Sequence, residues 1–200
     1  MKVVLASKNE HKLQELQEIL SRHGMQVILQ SELGIDIDVE ETGATFEENS
    51  FLKAQAVMRA AHLPAIADDS GLMVDALNGE PGIYSARYGG AVNHSDRDRM
   101  NYLLQKMKDV PDGERSARFV CVITLVTPDG AVVTARGVCE GEITRQARGN
   151  SGFGYDPVFY VPQEGCTFAE MPQARKNAIS HRANALKIFT EKVRKGDTTC

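Results

Sequence analysis

The sequence contains no tryptophan, and its 200 residues include only four cysteines. Those four (Cys121, Cys139, Cys166, Cys200) form no CxxC pair and no zinc-type spacing, which excludes a disulfide framework or zinc ribbon and marks reduced, cytoplasmic thiols. Long hydrophobic runs are missing too, since none approaches the roughly 20 residues that span a bilayer. The apolar start of MKVVLASKNEHK is too short for a signal-peptide core, so no membrane association is expected. Positive charge is not in excess: 23 Lys and Arg face 27 Asp and Glu, for a net charge of −4. That excludes a broadly basic nucleic-acid binder, although not a single cationic pocket. No repeat, low-complexity tract or Pro/Ser-rich linker interrupts the chain. What is present is globular composition, 42% hydrophobic and 25% charged, over a length that suits one domain.

Hydrophobic periodicity orders the elements. Residues 2–6 read as a buried strand, followed by a helix with Leu13, Leu16 and Leu20 on one face and a stop at Gly24. A second strand at 26–29 leads into an acidic, irregular stretch at 35–43. Thr45 with Glu48 is a capping box that opens a helix carrying Phe51, Ala54, Met58 and Ala61 and ending before Pro64. A short strand at 65–67 runs into Asp68-Asp69-Ser70-Gly71, with 72–77 as its continuation, and a glycine-punctuated loop covers 78–90. Ser95 and Asp98 cap a third helix. Alternation from Ala117 to Leu125 gives a half-buried strand that turns at Pro128-Asp129-Gly130 and returns over 131–143 as an antiparallel hairpin. Strand 158–161 and a helix from near Ser180 complete an α/β chain with a mixed sheet, and residues 196–200 are expected to fray.

Four segments carry groups suited to chemistry. Ser7 and Asn9 precede the first helix and Lys12 lies in its first turn, where backbone N–H groups and a cation together attract anions. A polar loop with a solvated lysine has the same sequence. Glu40, Glu41, Asp68 and Asp69 are acidic residues beside small ones. A carboxylate pair at a strand end suits a Mg²⁺ ion whose shell is completed by water and phosphate, or a base for an attacking water, and equally a turn cap. Asn49 and Lys53, four residues apart, share a helix face that meets either a phosphate or solvent.

The third segment is Ser151-Gly152-Phe153-Gly154-Tyr155-Asp156-Pro157, whose glycines would let a flat ligand approach while Phe153 or Tyr155 stacks on it and Asp156 accepts from a ring N–H. The fourth is Lys176 with Ser180-His181-Arg182. Cations in the first turn of a helix are electrostatically misplaced, which calls for a compensating anion or a carbonyl-bearing ligand. His11, His23, His62 and His94 are scattered in no metal-binding pattern, and no GxSxG nucleophile is present.

Taken in order, Ser7-x-Asn9-x-x-Lys12, Glu40-Glu41-Thr42-Gly43, Asn49-x-x-x-Lys53-Ala54, Ala67-Asp68-Asp69-Ser70-Gly71, Pro81-Gly82-x-Tyr84-Ser85-Ala86-Arg87-Tyr88, Gly152-Phe153-Gly154-Tyr155-Asp156-Pro157 and Ser180-His181-Arg182 form a pattern. The chain resembles the noncanonical purine NTP pyrophosphatases, the dITP/XTP and inosine triphosphate pyrophosphatase family, from residue 2 to about 193. The resemblance implies an elongated, two-lobed α/β fold over residues 1–195, with substrate in the cleft between lobes. It also implies a homodimer, a Mg²⁺ cofactor, and hydrolysis of ITP, dITP and XTP to the monophosphate and pyrophosphate. Carried over by motif, the segment Ser7, Lys8, Asn9, Glu10, His11 and Lys12 would hold the triphosphate with Lys53. Asp69 would be the general base and a metal ligand together with Glu40 or Glu41, and with Asp68 as a further candidate. Ser70, Phe153, Gly154, Tyr155, Asp156, Lys176, His181 and Arg182 would form the nucleotide and base pocket. Arg182, donor-only, would favour the 6-keto oxygen of hypoxanthine over the 6-amino group of adenine. A pyrophosphatase for other nucleotides, a non-catalytic nucleotide-binding module and an RNA binder are the competing readings.

Overall fold

The structure is a computed structural model that describes residues 1–90 and 95–197, and for Glu10 and His11 the backbone only. The expectations for His94, Cys200, the end of the tail and the Glu10 and His11 side chains therefore lie outside the described residues. Seven strands form one mixed sheet in the order β2-β1-β3-β4-β5-β6-β7. They are β1 (Lys2–Leu5), β2 (Gln26–Leu29), β3 (Ala65–Val74), β4 (Ser116–Val126), β5 (Val132–Ile143), β6 (Phe159–Val161) and β7 (Cys166–Thr167). Strand β1 pairs in parallel with β2 and β3, whereas β6 pairs antiparallel with β5 and β7. The flanking helices are α1 (Glu10–Leu20), α2 (Phe46–Ala61), α3 (Asp96–Lys106), α4 (Gln173–Ile179) and α5 (His181–Lys195).

Two compact units are distinguishable. The first contains Met1–Asp69, Cys121–Gly137 and Arg182–Cys200; the second contains Ser70–Val120 and Val138–His181. In the first unit, Leu16 and Leu20 of α1 are fully buried against Val3 and Leu5 of β1, as their helical spacing requires. Gly24 then takes the left-handed conformation that ends this segment, with its N–H donating to the Ser21 carbonyl. The α2 capping box forms as the sequence predicts: Thr45 Oγ1 accepts from the Glu48 N–H at 3.1 Å and Glu48 Oε2 accepts from the Thr45 N–H at 3.2 Å. Such caps contribute about 1 kcal/mol.

Strand β3 runs unbroken through Asp68-Asp69-Ser70-Gly71, with 72–74 as its continuation, but stops at Val74, where Asp75–Leu77 turn into a short 3-10 helix. It lies between β1 and β4 in the sheet order, pairs with β1 at Ala65 and Ile66, and holds two acidic residues inside the strand.

In the second unit, Leu72, Val74, Leu103, Met107 and the rings of Phe119, Phe159 and Phe168 make the core. Phe119 and Phe159 pack with centroids 4.6 Å apart, tilted as ring quadrupoles favour. Ser95 caps α3 through a reciprocal bond with Asp98. Arg115 is buried, and its guanidinium donates to the carbonyls of Ile143, Met107, Val110 and Thr144, pinning the segment after α3 to the end of β5. The sequence reading missed β7 and α4, which are two and seven residues long and too short to show a period.

Candidate active site

The first unit assembles a charged cluster on β3. Asp68 is 2% exposed. Lys12 Nζ from α1 lies 2.8 Å from its Oδ1, and Arg182 Nε and Nη2 from α5 donate to its Oδ2 at 3.3 and 3.2 Å. Arg182 Nη1 donates to Glu15 Oε2 at 2.6 Å. Burial alone would raise the Asp68 pKa, but Lys12, Arg182 and Lys53 outweigh it and hold the carboxyl well below the usual carboxylate range. Burial likewise opposes the charge of Arg182, yet Asp68 and Glu15 raise its pKa further above the ordinary value.

Asp69 points its side chain to the other side of the strand, as alternation demands, and meets different partners. Lys53 Nζ from α2 donates to Asp69 Oδ1 at 2.6 Å and to Glu41 Oε1 at 2.9 Å. Burial pushes the Asp69 carboxyl upward against the pull of Lys53, and Glu41 and Asp68 add to the rise. Its Oδ2 is buried and has no hydrogen-bond partner among the described residues. Two adjacent carboxylates are thus shifted in opposite directions.

Asn9 caps α1: its Oδ1 accepts from the Lys12 N–H at 3.2 Å, and Ser7 Oγ accepts from the Asn9 N–H at 3.1 Å. Those bonds hold the turn open-ended at the helix N-terminus, where an anion is favoured. Lys8 turns away to an exposed ion pair with Asp36. Of the acidic pair, Glu40 is exposed and Glu41 alone reaches Lys53. Asn49 and Lys53, for which solvent was one expectation, are both turned inward.

Among the described residues no three His, Cys, Asp or Glu side chains make a ready metal cage. A Mg²⁺ ion needs no such cage, because one or two carboxylates plus substrate oxygens suffice. Glu41 and the orphaned Oδ2 of Asp69 fit that need. Asp68, the further candidate, has both oxygens engaged by Lys12 and Arg182.

The second unit carries the glycine-aromatic segment. Asp156, 3% exposed, accepts at Oδ2 from Lys176 Nζ at 2.6 Å and from the Phe153 N–H at 2.9 Å. The loop is so tight that a Cβ on Gly152, at φ +79°, would sit 2.1 Å from Asp156 Oδ2. Lys176 Nζ lies 5.0 Å from the centroid of the Phe153 ring, a cation–π contact. Phe153 is 46% exposed and offers a ring face, whereas Tyr155 is buried with its hydroxyl donating to the Ser85 carbonyl. Of the two rings offered for stacking, Phe153 is the one with an exposed face. The Gly154 N–H donates to Asp96 Oδ2.

Arg182 is buried on Asp68 and Glu15, and the His181 ring is buried and stacked on Phe119 at 4.8 Å. The anion that compensates the misplaced first-turn cation of α5 is the protein's own. Glu15 was not anticipated, although its place three residues after Lys12 puts both on one face of α1. Ser70 is half-buried on β3 directly after Asp69.

Residues 3–192 match the Ham1 family. The dITP/XTP pyrophosphatase of Salmonella typhimurium is 51% identical over 197 residues, covering 98% of this chain and 99% of that protein. The Staphylococcus aureus Ham1 protein superposes with a TM-score of 0.89 at 45% identity, covering 98% of this chain and 100% of that one. A HAM1 protein from Coxiella burnetii does so with a TM-score of 0.90 at 45% identity, covering 98% and 99%.

Proposed function

The chain belongs to the Ham1 family, and we propose that it is a nucleoside-triphosphate pyrophosphatase that hydrolyses noncanonical purine nucleotides (ITP, dITP and XTP) to the monophosphate and pyrophosphate; its relatives are named dITP/XTP pyrophosphatase. One observation carries the chemistry: Asp69 is buried beside a cation on one oxygen and unpartnered on the other.

Water attacks the α-phosphorus and pyrophosphate leaves. Lys53 fixes Asp69 Oδ1, so Oδ2 is the edge that takes the proton of the attacking water. A base placed in this way accelerates by roughly 10²–10⁴-fold. Lys12 and the N-terminus of α1 supply positive potential for the phosphates, which suits a reaction governed by positioning and charge neutralisation. Asp68 does no proton chemistry here; held ionised by two cations, it orients Lys12. Mg²⁺ would be held beside Glu41, with the Asp69 carboxylate as neighbour, and would supply neutralisation of the charge that builds on the phosphate oxygens.

Base selection falls to the second unit's own groups. Phe153 gives a stacking face, and Lys176 beneath it is a donor without acceptor capacity. A 6-keto purine offers the acceptor such a donor needs, whereas the 6-amino group of adenine leaves a mismatch of about 1–3 kcal/mol. That is roughly one to two decades of discrimination. The homodimer rests on the family resemblance alone, and sedimentation velocity tests it. No helix among the described residues is long and apolar enough to cross a membrane. Cytoplasmic location is part of the proposal, and the thiols of Cys139 and Cys166, which form no disulfide, suit a reducing compartment.

The deciding experiment is pyrophosphate release from ITP, dITP, XTP, ATP and GTP with and without Mg²⁺. Turnover of the first three, dependent on the ion and well above that of ATP, is the expected result. Tight ITP binding without turnover would instead make the protein a nucleotide-binding module.

A further inference from the structure

We propose that Asn49 is a positioning residue, holding the acidic segment at 40–43 where Glu41 meets Lys53. The proposal rests on the pyrophosphatase reading above and adds a residue to it. Asn49 lies one turn before Lys53 on α2 and is fully buried. Its Oδ1 accepts from the Gly43 N–H at 2.8 Å. Because the carbonyl end is committed to that N–H, the other end is fixed as Nδ2, and Nδ2 is buried without a hydrogen-bond partner among the described residues. An orphan buried donor is unfavourable, so an apolar side chain would serve packing better. The grip on Gly43 is what the amide adds.

The grip is part of a row. Glu48 Oε2 accepts from the Ala44 N–H at 2.6 Å and the Thr45 N–H at 3.2 Å. Three consecutive backbone N–H groups are thus held by side chains from the first turn of α2. Lys53, one turn on, holds the Glu41 carboxylate. Between these anchors the Thr42 N–H closes back on the Glu40 carbonyl at 3.1 Å, a three-residue turn centred on Glu41. The turn separates the two glutamates: Glu40 is exposed and Glu41 faces Lys53. The fit is close, since a Cβ on Gly43 would lie 2.6 Å from Glu48 Cβ and 2.7 Å from Asn49 Oδ1.

The test combines kinetics on ITP with hydrogen exchange at the Gly43 amide. Asn49→Ala should lower kcat by about 10²-fold, the scale of an ångström of misplacement, with KM changing far less. Its Gly43 amide should lose protection while the amides of β1 keep theirs. Asn49→Asp retains the acceptor and should restore most of kcat and of the protection. Adding Asn49→Ala to Glu41→Ala should cost nothing further, because both act through one carboxylate. Gly43→Ala leaves Asn49 intact but displaces the same segment, and should show the same kcat loss. Wild-type kcat in Asn49→Ala or Gly43→Ala would overturn the proposal, as would independent, multiplying losses in the double variant. If the unaltered protein has no turnover, the pyrophosphatase reading fails, and Gly43 exchange alone then decides whether the clamp exists.

Discussion

Arg182 Nη2 and Asp68 Oδ2 lie 3.2 Å apart although 114 residues separate them in the chain. The pair ties the start of α5 to the middle of β3, and both partners are buried. Removing one partner of a buried ion pair strands the other. Arg182→Ala should therefore lower stability by about 3–5 kcal/mol, less whatever Lys12 still supplies to Asp68. A urea titration measures the loss, and a midpoint within error of the unaltered protein would mean Lys12 alone satisfies Asp68.

Asp69→Asn keeps the shape of the side chain but removes its ability to accept a proton. Turnover of ITP should fall by at least roughly 10²-fold. Nucleotide affinity, measured by calorimetry, should change little, because Lys12 and the α1 N-terminus are untouched. A slow variant that also fails to bind would assign Asp69 to substrate binding.

Gly152→Ala places a methyl group against the Asp156 carboxylate at a left-handed backbone angle. Strain of this kind costs about 1–3 kcal/mol. The carboxylate must move, and with it the Lys176 ammonium and the Phe153 amide that it holds. KM for ITP should rise while kcat at saturation falls much less. Equal KM values would remove the 152–156 loop from base recognition.

Cys139 of β5 sets an alkaline limit on stability. Burial, with Glu140 and Glu164 nearby, pushes its thiol up to about 11 from an ordinary 9.0. The folded protein then keeps a proton that the unfolded chain releases, so stability holds below pH 9 and falls as pH rises toward about 11. Urea midpoints across that range should decline, and Cys139→Ala should flatten that part of the decline.

The sequence was most legible where one local rule dominates. Leu13, Leu16 and Leu20 announce α1, Thr45 and Glu48 announce the start of α2, and the period-two run from Ala117 announces β4. It was least legible where tertiary contacts override local chemistry. Asp68 and Asp69 read equally as a turn cap, because lone buried aspartates are costly, and the arrival of Lys12, Lys53 and Arg182 from distant segments is what lets them sit buried within β3. Arg182 shows the same limit in reverse. Its first-turn position correctly called for an anion, but nothing in the local sequence says that Asp68 and Glu15 supply it. Glu40 and Glu41 are indistinguishable as letters and are told apart by the turn closed between Glu40 and Thr42.

Lys53, wedged between Glu41 and Asp69, has a bearing on how this protein comes into being. The ammonium quiets the mutual repulsion of two acids that would otherwise need an outside counter-ion before the chain could close around them. Zinc fingers, by contrast, stay unravelled until their ion arrives. On the Mg²⁺ reading proposed above, folding need not wait for the ion, and a chelator should silence the protein without melting it.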